Sequence, residues 1–239
     1  MFGLFKRRQK NVKKQIRPLT LQDFTGQENT KLILSVALNG AKQRGSKLEH
    51  IIIYGPPGLG KTTLANIIAT EMRGKLHTSI GTSIQKSTDV VDLFEDIIEG
   101  DIIFIDEIHR IPVKLEELLY TAMEDGYINL GNVRMDIPSF TLIGATTRLG
   151  DLSKPLRDRF GIQLRLELYS QDELVQIALR TASVLDITMT YDGAAVLASR
   201  ARGTPRVLNS FIRRAMDVAH ASGQAGIDET VALATLEML

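Results

Sequence analysis

The run Gly55-Pro56-Pro57-Gly58-Leu59-Gly60-Lys61-Thr62 carries the spacing GxxxxGK[ST]. Glycines at such positions let successive backbone N–H groups curl around phosphate oxygens. A helix opening at Lys61 adds the positive end of its dipole. The Lys61 ammonium can reach the outer phosphates of a nucleoside triphosphate, and the hydroxyl of Thr62 can ligate Mg2+. Further along, Asp101-Ile102-Ile103-Phe104-Ile105-Asp106-Glu107 is an apolar run that delivers two carboxylates at its end. Asp106 suits Mg2+, directly or through water, and Glu107 suits the activation of a water for attack on the terminal phosphate. A third run, Phe140-Thr141-Leu142-Ile143-Gly144-Ala145, ends at Thr146-Thr147, where a hydroxyl could stand between the acids and that phosphate.

These residues need strands that end together at one edge. His50-Ile51-Ile52-Ile53-Tyr54 reads as a buried strand leading into the glycine loop, and residues 61–73 read as the helix that follows. Further strands are expected at 75–80, 101–106, 140–145 and 162–168, with helical patterns near 88–98 and 113–125. This alternation predicts an α/β fold, a doubly wound parallel sheet covered on both faces. Ahead of it, residues 29–44 form a helical pattern with Leu32, Ile33, Val36, Ala37 and Ala41 on one stripe and Gly45 as the stop. Residues 127–137 suggest a hairpin turning at Gly131-Asn132.

After Tyr169 the pattern is entirely helical. Ser170 and Glu173 have capping-box spacing. Helices are then expected at 192–201, at 205–222 behind a Thr204 cap with Pro205 in its first turn, and at 229–238 behind Asp228. The expected organisation is a basic tail at 1–15, a large α/β domain at 16–169 and a small all-helical lid at 170–239.

Composition narrows the chemistry. The chain has 239 residues and no cysteine, which removes disulfides, thiolate zinc sites and cysteine nucleophiles and fits a reducing, cytoplasmic compartment. No apolar run approaches the roughly 18 residues of a spanning helix. The four histidines, His50, His77, His109 and His220, have no metal-ligand spacing. His109 could couple the acidic loop to a neighbour or to DNA, or be an ordinary hydrogen-bonded loop residue. Seven of the 29 Lys and Arg residues fall in the first seventeen positions without an acid among them, so 22 remain against 28 acids in the rest. Such a head can attract nucleic acid or an anionic membrane surface, or simply remain a solvated tail. A lone arginine, such as Arg159 before the last strand or Arg206 after Gly203-Thr204-Pro205, reads by itself as a surface ion pair.

Taken in order, several segments resemble the AAA+ ATPases and, within them, the RuvB family of Holliday-junction branch-migration motors. The carriers are Arg17-Pro18 with Phe24-Thr25-Gly26-Gln27-Glu28, the loop from Tyr54 to Thr63, Phe104-Ile105-Asp106-Glu107-Ile108-His109-Arg110 and Tyr120-Thr121-Ala122-Met123-Glu124-Asp125. Gly144-Ala145-Thr146-Thr147-Arg148, Pro155-Leu156-Arg157-Asp158-Arg159-Phe160-Gly161 and Arg202-Gly203-Thr204-Pro205-Arg206 complete the series. The resemblance spans about residues 16–239. It implies ATP with Mg2+, bound by the loop Gly55, Pro56, Pro57, Gly58, Leu59, Gly60, Lys61, Thr62 and Thr63. It implies a sensor 1 role for Thr147, a finger acting in a neighbouring subunit for Arg159 and a sensor 2 role for Arg206, with Ile16, Arg17 and Tyr169 around the adenine. A finger used in trans implies a homo-oligomer, a hexameric ring or an arc. DNA, including four-way junctions, is the implied polymer. The family's hairpin for its RuvA partner is longer than residues 127–137, which argues against that contact. The family also continues into a winged-helix domain beyond the lid, which this sequence does not include. An ATP-dependent loader or remodeller of a protein partner, and an assembly scaffold with weak hydrolysis, are the alternative readings.

Overall fold

The computed structural model describes residues 16–130 and 133–239. The basic head at 1–15 and the hairpin tip Gly131-Asn132 lie outside the described residues. From the N-terminal side the elements are α1 (Glu28–Arg44), β1 (Ile51–Tyr54), α2 (Lys61–Met72), β2 (Leu76–Ile80), α3 (Ser87–Asp92), β3 (Ile102–Asp106) and α4 (Val113–Asp125). They continue with β4 (Tyr127–Leu130), β5 (Val133–Asp136), β6 (Thr141–Thr146), α5 (Lys154–Asp158) and β7 (Ile162–Arg165). Five strands form a parallel sheet in the order β2-β3-β6-β1-β7, and β4 and β5 form a separate antiparallel hairpin.

Successive residues of a strand point to opposite faces, and both faces of the central strands β1, β3 and β6 are covered, so these are mainly apolar, whereas the edge strands β2 and β7 carry polar residues. Ile51 and Ile53 of β1 pack in one core cluster with Leu34 and Leu38 of α1 and Leu64 and Ile68 of α2. Ile52, between them, packs in a second cluster with Leu119 of α4 and Leu156 of α5. The same alternation separates Phe104 from Ile103 and Ile105 in β3.

Several expectations are corrected. The stripe expected for α1 is only partly the buried one: Ala41 is buried and Ala37 packs against the core, but Leu32 and Val36 are about two thirds exposed and Ile33 is exposed, and Thr30, Leu34 and Leu38 face the core instead. Two apolar stripes run along this helix, and only docking against the sheet selects between them. The pattern at 88–98 yields a helix only to Asp92, because Val90, Phe94 and Ile97 reach the core from a short helix followed by turns. The strand expected at 162–168 stops at Arg165, after which Leu166 N still donates to Tyr54 O at 2.8 Å.

The C-terminal part contains α6 (Gln171–Val184), β8 (Thr188–Met189), α7 (Tyr191–Arg200), α8 (Pro205–Ala221), β9 (Gly226–Ile227) and α9 (Glu229–Glu237). It is the expected helical lid with one addition: β8 and β9 form a parallel pair of two residues each, too short to leave a periodic signal. The capping box of Ser170 and Glu173 is present, as is the Asp228 cap on Val231 N. Thr204 occupies the cap position of α8 without capping it; its hydroxyl donates to Arg202 O. The lid's Leu174, Ala178, Leu197 and Leu208 belong to the same core cluster as β1 and α2.

His50 ties the sheet to α4. Its Nδ1 accepts from Leu142 N at 2.8 Å, which leaves Nε2–H to donate to Met123 O at 3.2 Å. Burial, aided by the nearby Lys47 charge and opposed by the Met123 carbonyl, lowers its pKa from 6.5 to about 4. The unfolded chain therefore binds this proton at a higher pH than the folded one, so stability present above pH 6.5 is lost as pH falls towards 4. Denaturant unfolding at pH 7.5 and pH 5 should show a loss of about 2 kcal/mol from this residue, absent in His50→Gln, whose amide can both donate and accept. Equal pH dependence in the two proteins would remove His50 from this role.

Candidate functional site

Parallel strands end on the same side. Here β1, β3 and β6 bring the glycine loop, the Asp106-Glu107 pair and the Thr146-Thr147 pair to one edge. Cα register pairs Tyr54 with Thr146, and Ile105 with Gly144, so β6 stands between the loop and the acids. Open α/β sheets bind ligands at this edge.

The loop is held from several sides. Gly55 N donates to Thr146 O at 3.2 Å. Lys61, a residue 9% exposed, donates from Nζ to Gly55 O at 2.8 Å and to Pro56 O at 2.9 Å. Burial lowers the Lys61 pKa; Asp106 opposes that shift and Arg206 adds to it. Gly58 has φ 81°, and a Cβ there would stand 2.8 Å from Thr204 Cγ2 and 2.9 Å from Arg206 Cβ. A side chain at this position would therefore meet both backbone strain and the lid. The lid approaches through the start of α8, where Arg206 N donates to Gly58 O at 3.3 Å.

A cavity of about 650 Å3 opens between loop, acids and lid. Pro57, Gly58, Gly60, Lys61, Thr62 and Thr63 form its floor. Asp106, Glu107 and Thr147 line the strand-end side, Arg206 the lid side, and Ile16 and Arg17 complete the wall. Ile16 is fixed by Arg180 of α6, whose Nη1 donates to its carbonyl at 3.3 Å. The volume is within the usual range for small-molecule sites. Thr62 and Asp106 both line this cavity, and these oxygen donors could hold Mg2+, which commonly takes one or two protein ligands and completes its shell with water and phosphate oxygens.

Four predicted residues are elsewhere. Gly55 and Pro56 contribute the carbonyls that hold Lys61 rather than cavity wall, and Leu59 is buried beneath the loop. Tyr169 does not line the cavity: it is buried, and its hydroxyl donates to Leu59 O at 3.1 Å, tying the start of the lid to the underside of the loop. Burial pushes the phenol pKa well up, with Glu173 adding to the effect.

Arg159 also stands apart from the cavity of its own chain. Its guanidinium pairs with Glu124, lies 6.0 Å from the centre of the Tyr120 ring, and keeps a buried Nε without a hydrogen-bond partner. His109, left open by sequence, shares a 2.8 Å hydrogen bond with Thr146 Oγ1. Sequence reasoning missed Asn209, Ser210 and Arg213 on the cavity wall. Their signal was available once Arg206 was chosen, since positions three, four and seven further along a helix share its face. A smaller cavity of about 360 Å3 beside β2, lined in part by His77 and Asp89, holds none of the predicted residues.

Residues 16–166 match the family model described as the Holliday junction DNA helicase RuvB P-loop domain, and residues 169–239 match the RuvB AAA lid domain. Two relatives named Holliday junction branch migration complex subunit RuvB are those of Oenococcus oeni and Phytoplasma mali. The first is 48% identical, covering 90% of this chain and 66% of the relative. The second is 46% identical, covering 95% and 70%. The chain thus spans about two thirds of the length of these relatives. The solved Thermotoga maritima RuvB Holliday junction branch migration motor superposes with a TM-score of 0.88 at 45% identity, covering 94% of this chain and 73% of that one. With both family models matched end to end along the described fold, the chain belongs to the RuvB family.

Proposed function

We propose that this chain binds and hydrolyses ATP with Mg2+ and works as a RuvB-type oligomeric motor on DNA, driving branch migration of four-way junctions. The observation that carries the reading is the single cavity shared by Lys61, Thr62, Asp106, Glu107, Thr147 and the lid's Arg206. Thr62 and Asp106 are the residues that would hold Mg2+, which when bound neutralises phosphate charge.

Glu107 takes the proton of a water as its oxygen attacks the γ-phosphorus in line. The bond from that phosphorus to the β,γ-bridging oxygen breaks, leaving ADP and inorganic phosphate. Lys61 and Arg206 stabilise the charge on the phosphoryl oxygens, and Thr147 orients the water or the γ-phosphate. Arg159 serves the site of the next subunit. In support, its guanidinium lies away from its own cavity beside Glu124 and Tyr120, with Nε unpartnered. The lid's contact with Gly58 gives a route by which loop occupancy is read as lid motion. The hairpin of β4 and β5, with four residues in each strand, is not assigned a RuvA contact in this reading.

Three outcomes are expected. Glu107→Gln should retain nucleotide affinity in equilibrium titration while kcat falls by about 10²-fold or more; hydrolysis at the normal rate would strip Glu107 of its assignment. Mixtures of Lys61→Ala and Arg159→Ala chains should recover turnover that neither has alone, and co-assembled mixtures that stay inactive would argue against a shared site. Gly58→Ala should weaken nucleotide binding roughly tenfold, the equivalent of about 1.4 kcal/mol of strain, and unchanged affinity would show that the lid contact can yield freely.

A further inference from the structure

Thr146 ends β6 with 1% exposure. Its Oγ1 accepts from Arg148 N at 2.9 Å and shares the 2.8 Å hydrogen bond with Nδ1 of His109. His109 is the middle residue of the 3-10 turn Ile108–Arg110, which begins immediately after Glu107. Glu107 has φ 52°, in the left-handed region where a non-glycine residue is strained. Its N donates to Asp106 Oδ1 at 3.0 Å, and its carbonyl accepts from Arg110 N at 2.8 Å. The same carbonyl is packed against Gly81, where a Cβ would come within 2.3 Å of it. A strained backbone persists only where its surroundings over-determine it. The turn is thus braced on the β2 side by Gly81 and on the β6 side by the hydroxyl of Thr146.

We infer that His109 and Thr146 are a positioning pair for hydrolysis: their hydrogen bond fixes the Glu107 turn against the end of β6. One hydroxyl sets two things together. It holds the backbone path from Thr146 to Arg148, which aims Thr147 into the cavity, and it holds the turn that aims the Glu107 carboxylate. Neither His109 nor Thr146 lines the cavity. Without the bond the turn can relax from its strained φ, and the carboxylate swings. Misplacement of a reacting group by about 1 Å can cost on the order of 10²-fold in rate, while binding at the phosphate loop is untouched. The inference rests on the role proposed for Glu107.

The test uses the full chain and its Thr146→Val, Thr146→Ser, His109→Ala, His109→Asn and Glu107→Gln variants, with steady-state ATP hydrolysis, ADP titration and 15N spectra of the His109 imidazole. Thr146→Val and His109→Ala should each lower kcat roughly tenfold to hundredfold with ADP affinity unchanged. Thr146→Ser restores the hydroxyl, and His109→Asn places an amide atom near the position of Nδ1; both should recover most of the rate. Thr146→Val should move the His109 nitrogen signals, and added to Glu107→Gln it should lower the rate no further. Wild-type kcat in Thr146→Val, a parallel loss of ADP affinity, or a full additional loss on top of Glu107→Gln would each overturn the pair. Wild-type turnover in Glu107→Gln would overturn the Glu107 reading itself, and the pair's role with it, even if the imidazole spectra showed the bond intact.

Discussion

A polyphosphate can be held by backbone N–H groups only where the chain bends tightly at the start of a helix and the bend cannot be displaced. That constraint shapes this molecule. The bend from Gly55 to Gly60 is anchored above by the lid at Gly58, laterally by β6 at Thr146, and beneath by Tyr169. Lys61 is drawn into it through two carbonyls of the same loop, at the cost of the burial that lowers its pKa. The parallel order of the sheet then follows from need: it brings two carboxylates and a threonine to the edge where the loop sits.

The lid is part of the same mechanical unit. It shares a core cluster with β1 and α2, its first residues are bonded to the loop, and Gly203 O accepts from Tyr169 N at 3.0 Å. Gln27 adds a further tie: its amide donates to Glu167 O at 2.6 Å and accepts from Glu167 N at 3.1 Å, fixing the strand-to-lid connection. Tyr169 is thus better understood as a strut between lid and loop than as a wall of the cavity. A change at the loop has direct bonded routes into the lid, which is what the proposed coupling of nucleotide state to movement would require.

Arg159 completes the picture from the opposite side. Its partners are Glu124 and Tyr120 of α4, whose same C-terminal turn is clamped to the sheet through His50 and Met123. The finger candidate is therefore carried on a braced surface, and an arginine expected to stabilise charge in a neighbour must be held still before the neighbour arrives.

By itself the sequence determined what depends on local chemistry: the loop between an apolar strand and a helix, the acids at a strand end, the hairpin strands, and the caps of α6 and α9. These are set within a few residues of chain, by glycine φ values, side-chain caps and strand periodicity. Only tertiary structure decided which stripe of α1 is buried, that Tyr169 lies under the loop, that Arg159 points away from its own cavity, and that His109 reaches Thr146. Each of these depends on partners far away in the chain, and a helix with two apolar stripes, or a histidine in a turn, carries no local mark of which distant group will meet it.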